Sequence, residues 1–531
     1  MADHAQDFPR SSGVLLHPTS LPGPHGIGDL GLAAHRFVDW LEEAGQSVWQ
    51  VLPLGPTGFG DSPYQTFSAF AGNPLLISLD LMIEDGWLGR DDLADIPHFP
   101  SDRVDYGRVI TFKSAKLSLA HANFLEQPKT NQQEEFAAWC HEQAHWLDDY
   151  ALFVALKESH GRHPWTTWPR ELAQHDTRAR EQAVQDNPAR VAEERFRQWL
   201  FHRQWHALKS YANAKSVRLV GDLPIFVAHD SCDVWSRREL FRLNSQGDPT
   251  VVAGVPPDYF SKTGQLWGNP LYDWERMHQD GYRWWVERMR AALDLVDIVR
   301  IDHFRGFEAY WEVSATAKTA KVGRWVAGPG SDIFQTLWDQ LGKLPIIAED
   351  LGVITAGVER LRDEFELPGM KILQFAWSEP GSPFLPHEYR RNCVVYTGTH
   401  DNAPTIAWWH NEASSKVRHL LADYLGREIL EPNWDLIRLG MMSVGHTFIA
   451  TIQDILGLGE EARMNRPGAD TGNWTWRMPE KACEDEAIRN RLAHLTWLYR
   501  RRPDQKAIIA TEETSFEDVT SSREEILPAD E

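Results

Sequence analysis

Four apolar segments of the chain each end in a carboxylate, and these acids are the residues best suited to chemistry. The segments "LVGD", "IVRID", "IIAED" and "TGTHD" contain Asp222, Asp302, Glu349 and Asp401. Side chains alternate along a strand, so Arg300 shares a face with Asp302, and its charge is expected to lower the pKa of that acid. Apolar residues before Glu349 favour its protonated form. One ionised and one protonated carboxyl group are what glycosidic bond chemistry uses.

These acids can act together only if the elements that carry them end at the same place. Helical patterns separate eight short apolar runs, which lie at residues 13–21, 47–56, 217–227, 296–302, 344–350, 370–377, 393–401 and 446–456. Continuous apolar runs with helices between them are typical of a parallel sheet buried on both faces. Eight such units predict an α/β fold, the (β/α)8 TIM barrel, in which function lies at the C-terminal ends of the strands. We therefore expect the acids at one rim.

The uneven spacing of the runs predicts two insertions into the barrel. A long gap separates the second and third runs, and its amphipathic stretches indicate a large, mostly helical inserted subdomain at residues 77–215. Residues 245–280, which are rich in Pro, Gly and Trp, are expected to form a loop insertion after the third strand. The barrel itself then comprises residues 1–76 and 216–502, and the acidic residues 503–531 form a C-terminal tail.

Charge and composition narrow the classes of partner and compartment. The 531-residue chain has a formal net charge of -22, which argues against nucleic acid and anionic membranes as partners. Its four cysteines lack metal-like spacing, and neither a signal peptide nor a membrane segment is visible. A cytoplasmic protein without a bound metal or cofactor is therefore expected. The 24 Trp residues fill the core and also suit a groove that stacks on sugar rings.

Several segments, in their order and spacing, resemble the 4-α-glucanotransferases called amylomaltase or disproportionating enzyme, within the α-amylase clan. The most specific are "GDLPIFVAHDSCDVW", "AGVPPDYFSKTGQLWGNPLYDW", "VRIDHFRGF", "AEDLG" and "TGTHDN". The resemblance implies that Asp302 is the nucleophile that forms a β-linked glycosyl-enzyme, and that Glu349 is the general acid and then the base. It implies that Asp401 holds sugar hydroxyls and favours the transition state.

The resemblance also implies the substrates and the residues that bind them. Maltooligosaccharides, amylose or glycogen-derived glucans would donate α-1,4-glucan segments to the 4-OH of glucose or of another glucan. Arg300 would keep Asp302 ionised, and the segment "PPDYFSKTGQLWGNP" would form a loop that overhangs the groove. The expected substrate-binding residues are Arg300, Asp222, His303, His400, Asn402, Tyr64, Asn73, Tyr259, Phe260, Trp267, Pro257 and Asp258.

Three other functions remain open on the residues alone. A retaining α-glucan hydrolase of the same clan would use the same acids, with water in place of the acceptor sugar. A metal-dependent barrel hydrolase could use Asp302 with His303, or His400 with Asp401, as ligands, although adjacent residues on a strand point to opposite faces. A non-catalytic glucan-binding protein would have no need for the complete set of acids.

Overall fold

A computed structural model describes residues 9–127, 131–257, 261–469 and 471–502. Within these residues there are twelve strands: β1 (Ser11–Leu15), β2 (Val48–Gln50), β3 (Arg218–Pro224), β4 (Val251–Val255), β5 (Gln265–Pro270), β6 (Ile298–Asp302), β7 (Ala309–Ser314), β8 (Arg324–Ala327), β9 (Ile346–Ala348), β10 (Gly369–Ile372), β11 (Cys393–Tyr396) and β12 (Thr447–Thr451). Eight of them form one parallel sheet in the order β10-β11-β12-β1-β2-β3-β6-β9. The predicted (β/α)8 barrel is confirmed.

The two ends of this sheet meet, and the interior is filled by every barrel strand. Ala348 N on β9 donates to Pro368 O, just before β10, at 2.9 Å. The buried interior cluster comprises Leu15, Val48, Val220, Ile298, Ile347, Met370, Ile372, Val394, Tyr396 and Ile449. By alternation along β6, Arg300 and Asp302 share the inward face with Ile298. The interior is therefore apolar in its lower layers and charged at its C-terminal rim.

Helices connect the strands and cover the outside of the barrel. In the described part of the chain they are α1 (Leu32–Glu43), α2 (Leu79–Glu84), α3 (Tyr106–Glu126), α4 (Asn131–Glu142), α5 (Ala144–Ser159), α6 (Arg170–Ala173), α7 (Thr177–Asp186), α8 (Pro188–Ala214), α9 (Cys232–Ser236), α10 (Trp274–Gln279), α11 (Arg283–Leu295), α12 (Ser331–Leu341), α13 (Ala356–Glu364), α14 (Thr405–Ala407), α15 (Ser415–Leu425), α16 (Pro432–Met442), α17 (Ile452–Leu456) and α18 (Glu486–Leu498). Short 3-10 turns and one π-helical turn (Trp408–Glu412) lie between them.

Helix α8 ends the helical stretch between β2 and β3 and also belongs to the barrel. Tyr211 OH donates to Asp39 Oδ1 on α1 at 2.6 Å, and Trp205 Nε1 donates to Leu295 O on α11 at 2.7 Å. The C-terminal half of α8 therefore lies between α1 and α11 in the outer ring. One helix thus serves as the crossover from β2 to β3 and as the anchor of the helices that precede it.

Residues 245–280, predicted as a loop, contain two strands of a second sheet. This sheet is antiparallel, with the order β5-β4-β7-β8. Its other two strands follow β6, where the sequence analysis predicted no element. A strand is recognised in a sequence by alternating apolar and polar residues, and a bulge interrupts that alternation. The register between β4 and β5 shifts in this way near Gly254. Glu312 on β7 is nevertheless buried, where it pairs with Arg242 and Arg324.

The cysteines are all free, and burial keeps them unreactive. Burial raises the pKa of Cys140, Cys393 and Cys483 to about 12, and it also raises that of Cys232. Such thiols stay protonated near neutral pH and are poor nucleophiles. Within the described residues, no helix combines the length and the apolar character that a bilayer crossing requires.

Gly13 allows β1 and β2 to approach each other, and replacing it should destabilise the barrel. A Cβ at Gly13 would lie 2.3 Å from Val48 O and 2.5 Å from Val48 Cβ. Because β1 and β2 are paired at this point, the backbone cannot move away freely. We expect Gly13→Ala to lower the free energy of unfolding by about 1–3 kcal/mol, measured by urea denaturation.

Gly107→Ala is the matched control for this prediction. Gly107 lies in the first turn of α3, where an added Cβ meets nothing closer than Asp105 Oδ1 at 3.9 Å. Alanine favours a helix over glycine by roughly 0.5–1 kcal/mol, so this variant should be neutral or slightly more stable. Equal destabilisation by both changes would contradict a specific contact between β1 and β2.

Candidate active site

A buried arginine and two acids form the floor of the groove at the C-terminal rim. Asp222 on β3 and Arg300 on β6 are register partners. Arg300 Nη1 donates to the two Asp222 oxygens at 2.7 and 2.6 Å and lies 3.1 Å from Asp302 Oδ1. The Asp222 side chain is 0% exposed and that of Asp302 is 30% exposed. The floor is therefore closed beneath Asp302, which alone of the three opens into the groove.

Glu349 lies beside this cluster because β6 turns sharply after Asp302. His303 has a positive φ of 52°, and its N–H donates to Glu349 Oε2 at 2.6 Å. The other carboxyl oxygen, Oε1, accepts from Leu351 N at 3.0 Å. Two backbone donors thus fix the Glu349 carboxyl group next to the residue that follows Asp302.

Burial raises the pKa of both acids. It raises the pKa of Asp302 to about 8, and the negative charges of Asp222 and Glu349 act in the same direction. Arg300 lowers this pKa as expected, but it does not outweigh burial, because its charge is shared with Asp222. The pKa of Glu349 is also raised by burial, against Arg300 and the two backbone donors. Near neutral pH the pair therefore carries at least one proton, and Arg300 alone does not keep Asp302 ionised.

Asp401 follows β11 at the outer edge of the groove. Its side chain is 48% exposed. Asn465 Nδ2 donates to Asp401 Oδ1 at 2.6 Å, and Arg463 Nη2 donates to the Asp401 main-chain oxygen at 3.3 Å. Asn402 closes the preceding turn, since its Oδ1 accepts from Thr399 N at 2.9 Å. The Asp401 carboxylate is thus held in place by Asn465 and stays about half exposed.

An aromatic wall joins the floor to Asp401. Tyr64 OH donates to Asp222 Oδ2 at 2.7 Å. The Tyr64 ring stacks on His400 with centroids 5.1 Å apart, and Trp474 lies 5.8 Å from both rings. Burial lowers the pKa of His400, so its imidazole is neutral near pH 7. The Tyr64 hydroxyl is thus engaged by Asp222, and the Tyr64 ring packs beside His400 and Trp474.

The structure also describes three further predicted binding residues, Trp267, Asn73 and Pro257. Trp267 on β5 packs edge-on against the His303 ring, with centroids 4.7 Å apart. Asn73 is buried and caps a turn, because its Oδ1 accepts from Leu75 N at 3.0 Å. Its contacts are those of a structural residue. Pro257 is exposed at the end of the described stretch. Three predicted residues lie outside the described residues: Asp258, Tyr259 and Phe260.

A family model described as 4-alpha-glucanotransferase matches residues 16–482. The chain belongs to the 4-α-glucanotransferase family. It is 52% identical over 481 residues to the 4-alpha-glucanotransferase of Thermus thermophilus, and the matched region covers 89% of this chain and 95% of the relative. It is 50% identical over 498 residues to the 4-alpha-glucanotransferase of Synechocystis, and the matched region covers 93% of this chain and 98% of the relative. Among solved structures, the amylomaltase from Streptococcus agalactiae in complex with acarbose matches this fold with a TM-score of 0.90 at 38% sequence identity. The match covers 93% of this chain and 99% of that chain.

Membership of the 4-α-glucanotransferase family confirms the expected activity. The geometry of the site also includes a segment that the sequence analysis did not select. Asn465, Arg463 and Trp474 all come from the loop between α17 and α18, and no residue of this loop was selected from the sequence. One signal was available. The eighth strand of a barrel is followed by a loop at the catalytic rim, and this loop is long. What the sequence could not indicate is which of its side chains reach Asp401.

The raised pKa of Asp302 predicts that this acid costs stability. The pKa of an unfolded aspartate is about 3.9, whereas that of folded Asp302 is raised to about 8. The unfolded chain therefore ionises first, and folding is penalised increasingly as pH rises between these values, by up to about 1.4 kcal/mol per pH unit. We expect Asp302→Asn to be more stable than the wild type, with a difference that grows from about pH 5 to about pH 8, measured by urea denaturation.

The control replaces an exposed acid in the same way. Asp91 lies at the surface of the helical segment after β2, and Asp91→Asn should give a difference from the wild type that is small and flat with pH. If the stability gained by Asp302→Asn is constant or shrinks as pH rises, the folded state does not hold the Asp302 proton as described.

Proposed function

We propose that this enzyme transfers α-1,4-glucan segments from a maltodextrin donor to the 4-OH of glucose or of another glucan by a retaining double displacement. Asp302 is the nucleophile and Glu349 is the acid and base. The observation that supports this most directly is the hydrogen bond from His303 N to Glu349 Oε2 at 2.6 Å. It fixes a proton-carrying acid beside an aspartate that contacts Arg300. Two carboxyl groups so placed suit both steps of the reaction.

In the first step the glycosidic bond of the donor breaks. The Glu349 carboxyl group gives its proton to the glycosidic oxygen, and an Asp302 oxygen attacks the anomeric carbon from the opposite face. The reducing-end segment leaves as a neutral alcohol, and a β-linked glycosyl ester remains on Asp302. Asp302 reacts as the carboxylate, in the form of the pair whose proton is on Glu349, and Arg300, 3.1 Å from Asp302 Oδ1, stabilises that form before attack.

In the second step the acceptor replaces the leaving group. Glu349, now a carboxylate, takes the proton of the acceptor 4-OH while that oxygen attacks the anomeric carbon. The ester bond to Asp302 breaks, and the new glycosidic bond has the α-configuration of the donor. Asp401 accepts hydrogen bonds from hydroxyls of the reacting sugar ring and favours its oxocarbenium-like distortion. Its exposed carboxylate, held by Asn465, is suited to this role.

The substrates are α-glucans, and the finer assignments are part of the proposal. Maltooligosaccharides, amylose and glycogen-derived glucans serve as donors, with glucose as the smallest acceptor. Tyr64 supplies an aromatic face beside the acids, and Trp267 supplies another on the second sheet. The compartment we propose is the cytoplasm, in keeping with four free cysteines.

Hydrolysis is the alternative outcome of the same intermediate. Asp302 and Asp401 are 30% and 48% exposed, so water can reach the groove when no acceptor is bound. Transfer therefore depends on an acceptor sugar that occupies the site and displaces that water.

Incubation with maltotriose distinguishes the two outcomes. Transfer conserves the number of glycosidic bonds, so we expect glucose and a ladder of longer maltodextrins with almost no gain in reducing ends. Chromatography of the products and a reducing-sugar assay measure both quantities. A steady rise in reducing ends without a ladder would identify a hydrolase instead.

Substitutions of the two acids separate their roles. Asp302→Ala and Glu349→Gln should each lower the rate of transfer from maltotriose by at least about 10²-fold to 10⁴-fold. With maltosyl fluoride, whose leaving group needs no proton, Glu349→Gln should form the glycosyl-enzyme, and added azide should release α-maltosyl azide. Asp302→Ala should give only the β-azide, because azide then attacks the donor directly. Product anomers are read by NMR.

Glu359→Gln is the control for these variants. Glu359 is an exposed acid on α13, in the same strand–helix unit as Glu349. Its replacement should leave the ladder intact. Wild-type activity in Asp302→Ala, or an α-azide product from that variant, would contradict the assignment of the nucleophile.

A further inference from the structure

Two histidines and an aspartate come together on the outside of the barrel, where the mechanism above does not use them. His202 and His206 lie one turn apart on α8, and Asp294 lies near the end of α11. One ring nitrogen of each histidine and one carboxylate oxygen all lie within 4.8 Å of one another. His206 Nε2 is 3.0 Å from Asp294 Oδ2. Across residues 9–127, 131–257, 261–469 and 471–502, this is the one group of three such side chains with that geometry.

His202 provides an independent indication that a ligand belongs here. The residue is 7% exposed, and its Nε2 is buried without a hydrogen-bond partner in the described structure. A buried polar atom without a partner costs about 1–3 kcal/mol. The rings of Trp139 and Trp146 pack at 5.1 and 6.0 Å from the His202 ring.

We propose that His202, His206 and Asp294 bind a divalent transition-metal ion, with Zn²⁺ as the best match. Two imidazole nitrogens and one carboxylate suit Zn²⁺ better than Mg²⁺ or Ca²⁺, which prefer oxygen ligands. The side chains of His206 and Asp294 are 39% and 60% exposed, so they can rotate inward onto the ion. The same exposure leaves the fourth position to water.

The location indicates a structural ion. Helix α11 runs antiparallel to the strands it connects, so Asp294 lies at the end of the barrel opposite the catalytic acids. The ion would join α8 to the segment that leads into β6. Lys209 carries a positive charge near the site, which opposes the binding of a cation. Its Nζ donates to the main-chain oxygens of Leu293 and Asp294 at 3.3 and 2.9 Å. An ion bound only by the folded chain raises stability by mass action.

The test uses the full chain, with any affinity tag removed and metal stripped by EDTA and dialysis. Calorimetric titration with Zn²⁺ should show one ion per chain, and Zn²⁺ should raise the thermal midpoint. His206→Gln and Asp294→Asn should each weaken the affinity by about tenfold or more and remove most of the Zn²⁺-dependent rise. Both positions are partly exposed, so the variants should fold. The rate of maltotriose transfer should stay within about twofold of the wild type, as expected for an ion remote from the acids.

His278→Gln is the matched control. It removes a similar surface contact, His278 Nε2 to Asp332 Oδ2 at 3.3 Å. The described residues offer no third His, Cys, Asp or Glu ligand at this place. Its Zn²⁺ affinity and its thermal shift should equal those of the wild type. The proposal fails if stripped wild-type protein binds no Zn²⁺. It also fails if His206→Gln and Asp294→Asn bind the ion as tightly as His278→Gln does.

Discussion

A buried guanidinium group that must be neutralised is the constraint on which this site depends. Arg300 is inside the barrel, and a charge there is tolerated only when it is paired and hydrogen-bonded. Asp222 meets this need from the neighbouring strand, at the same level in the register. Removing one partner of such a buried pair typically costs about 3–5 kcal/mol. The pair therefore fixes the register of β3 against β6 and, with it, the position at which Asp302 leaves the sheet.

Much of this arrangement could be predicted from the sequence, because parallel strands buried on both faces are continuous apolar runs. All eight barrel strands overlap the predicted runs, and the acids lie at the rim that the fold requires. The partners of Asp401 could not be predicted, since Asn465 is more than sixty residues away along the chain and belongs to no repeating pattern. The protonation of Asp302 could not be predicted either. It depends on burial and on charges from four separate strands or loops, and the sequence shows only the nearest of them, Arg300.

The helices between β2 and β3 contribute to the site through two glutamines on α8. Gln198 pairs with both backbone groups of Gly72, accepting at 2.8 Å and donating at 3.1 Å. Gln204 pairs in the same way with Ser78, at 2.7 and 3.1 Å. The backbone N–H and C=O groups of Gly72 and Ser78 are buried and need hydrogen-bond partners. Each glutamine amide supplies the two hydrogen bonds that a neighbouring strand would otherwise supply. These two clamps hold the chain that leads from Tyr64 back to the barrel, and they give the helical segment a part in shaping the groove wall.

The exposure of the acids rises from Asp222 through Asp302 to Asp401, and this order fits the contacts that we propose for each acid. Asp222 is paired with Arg300, and its side chain is fully buried. In the proposed mechanism, Asp302 needs one open face for a bond to carbon, and Asp401 needs several lone pairs for sugar hydroxyls; their side chains are 30% and 48% exposed. An intermediate burial is costly for Asp302, because it is removed from water without full pairing to Arg300. In the reaction proposed above, a covalent bond to the anomeric carbon would neutralise the carboxylate and remove this cost.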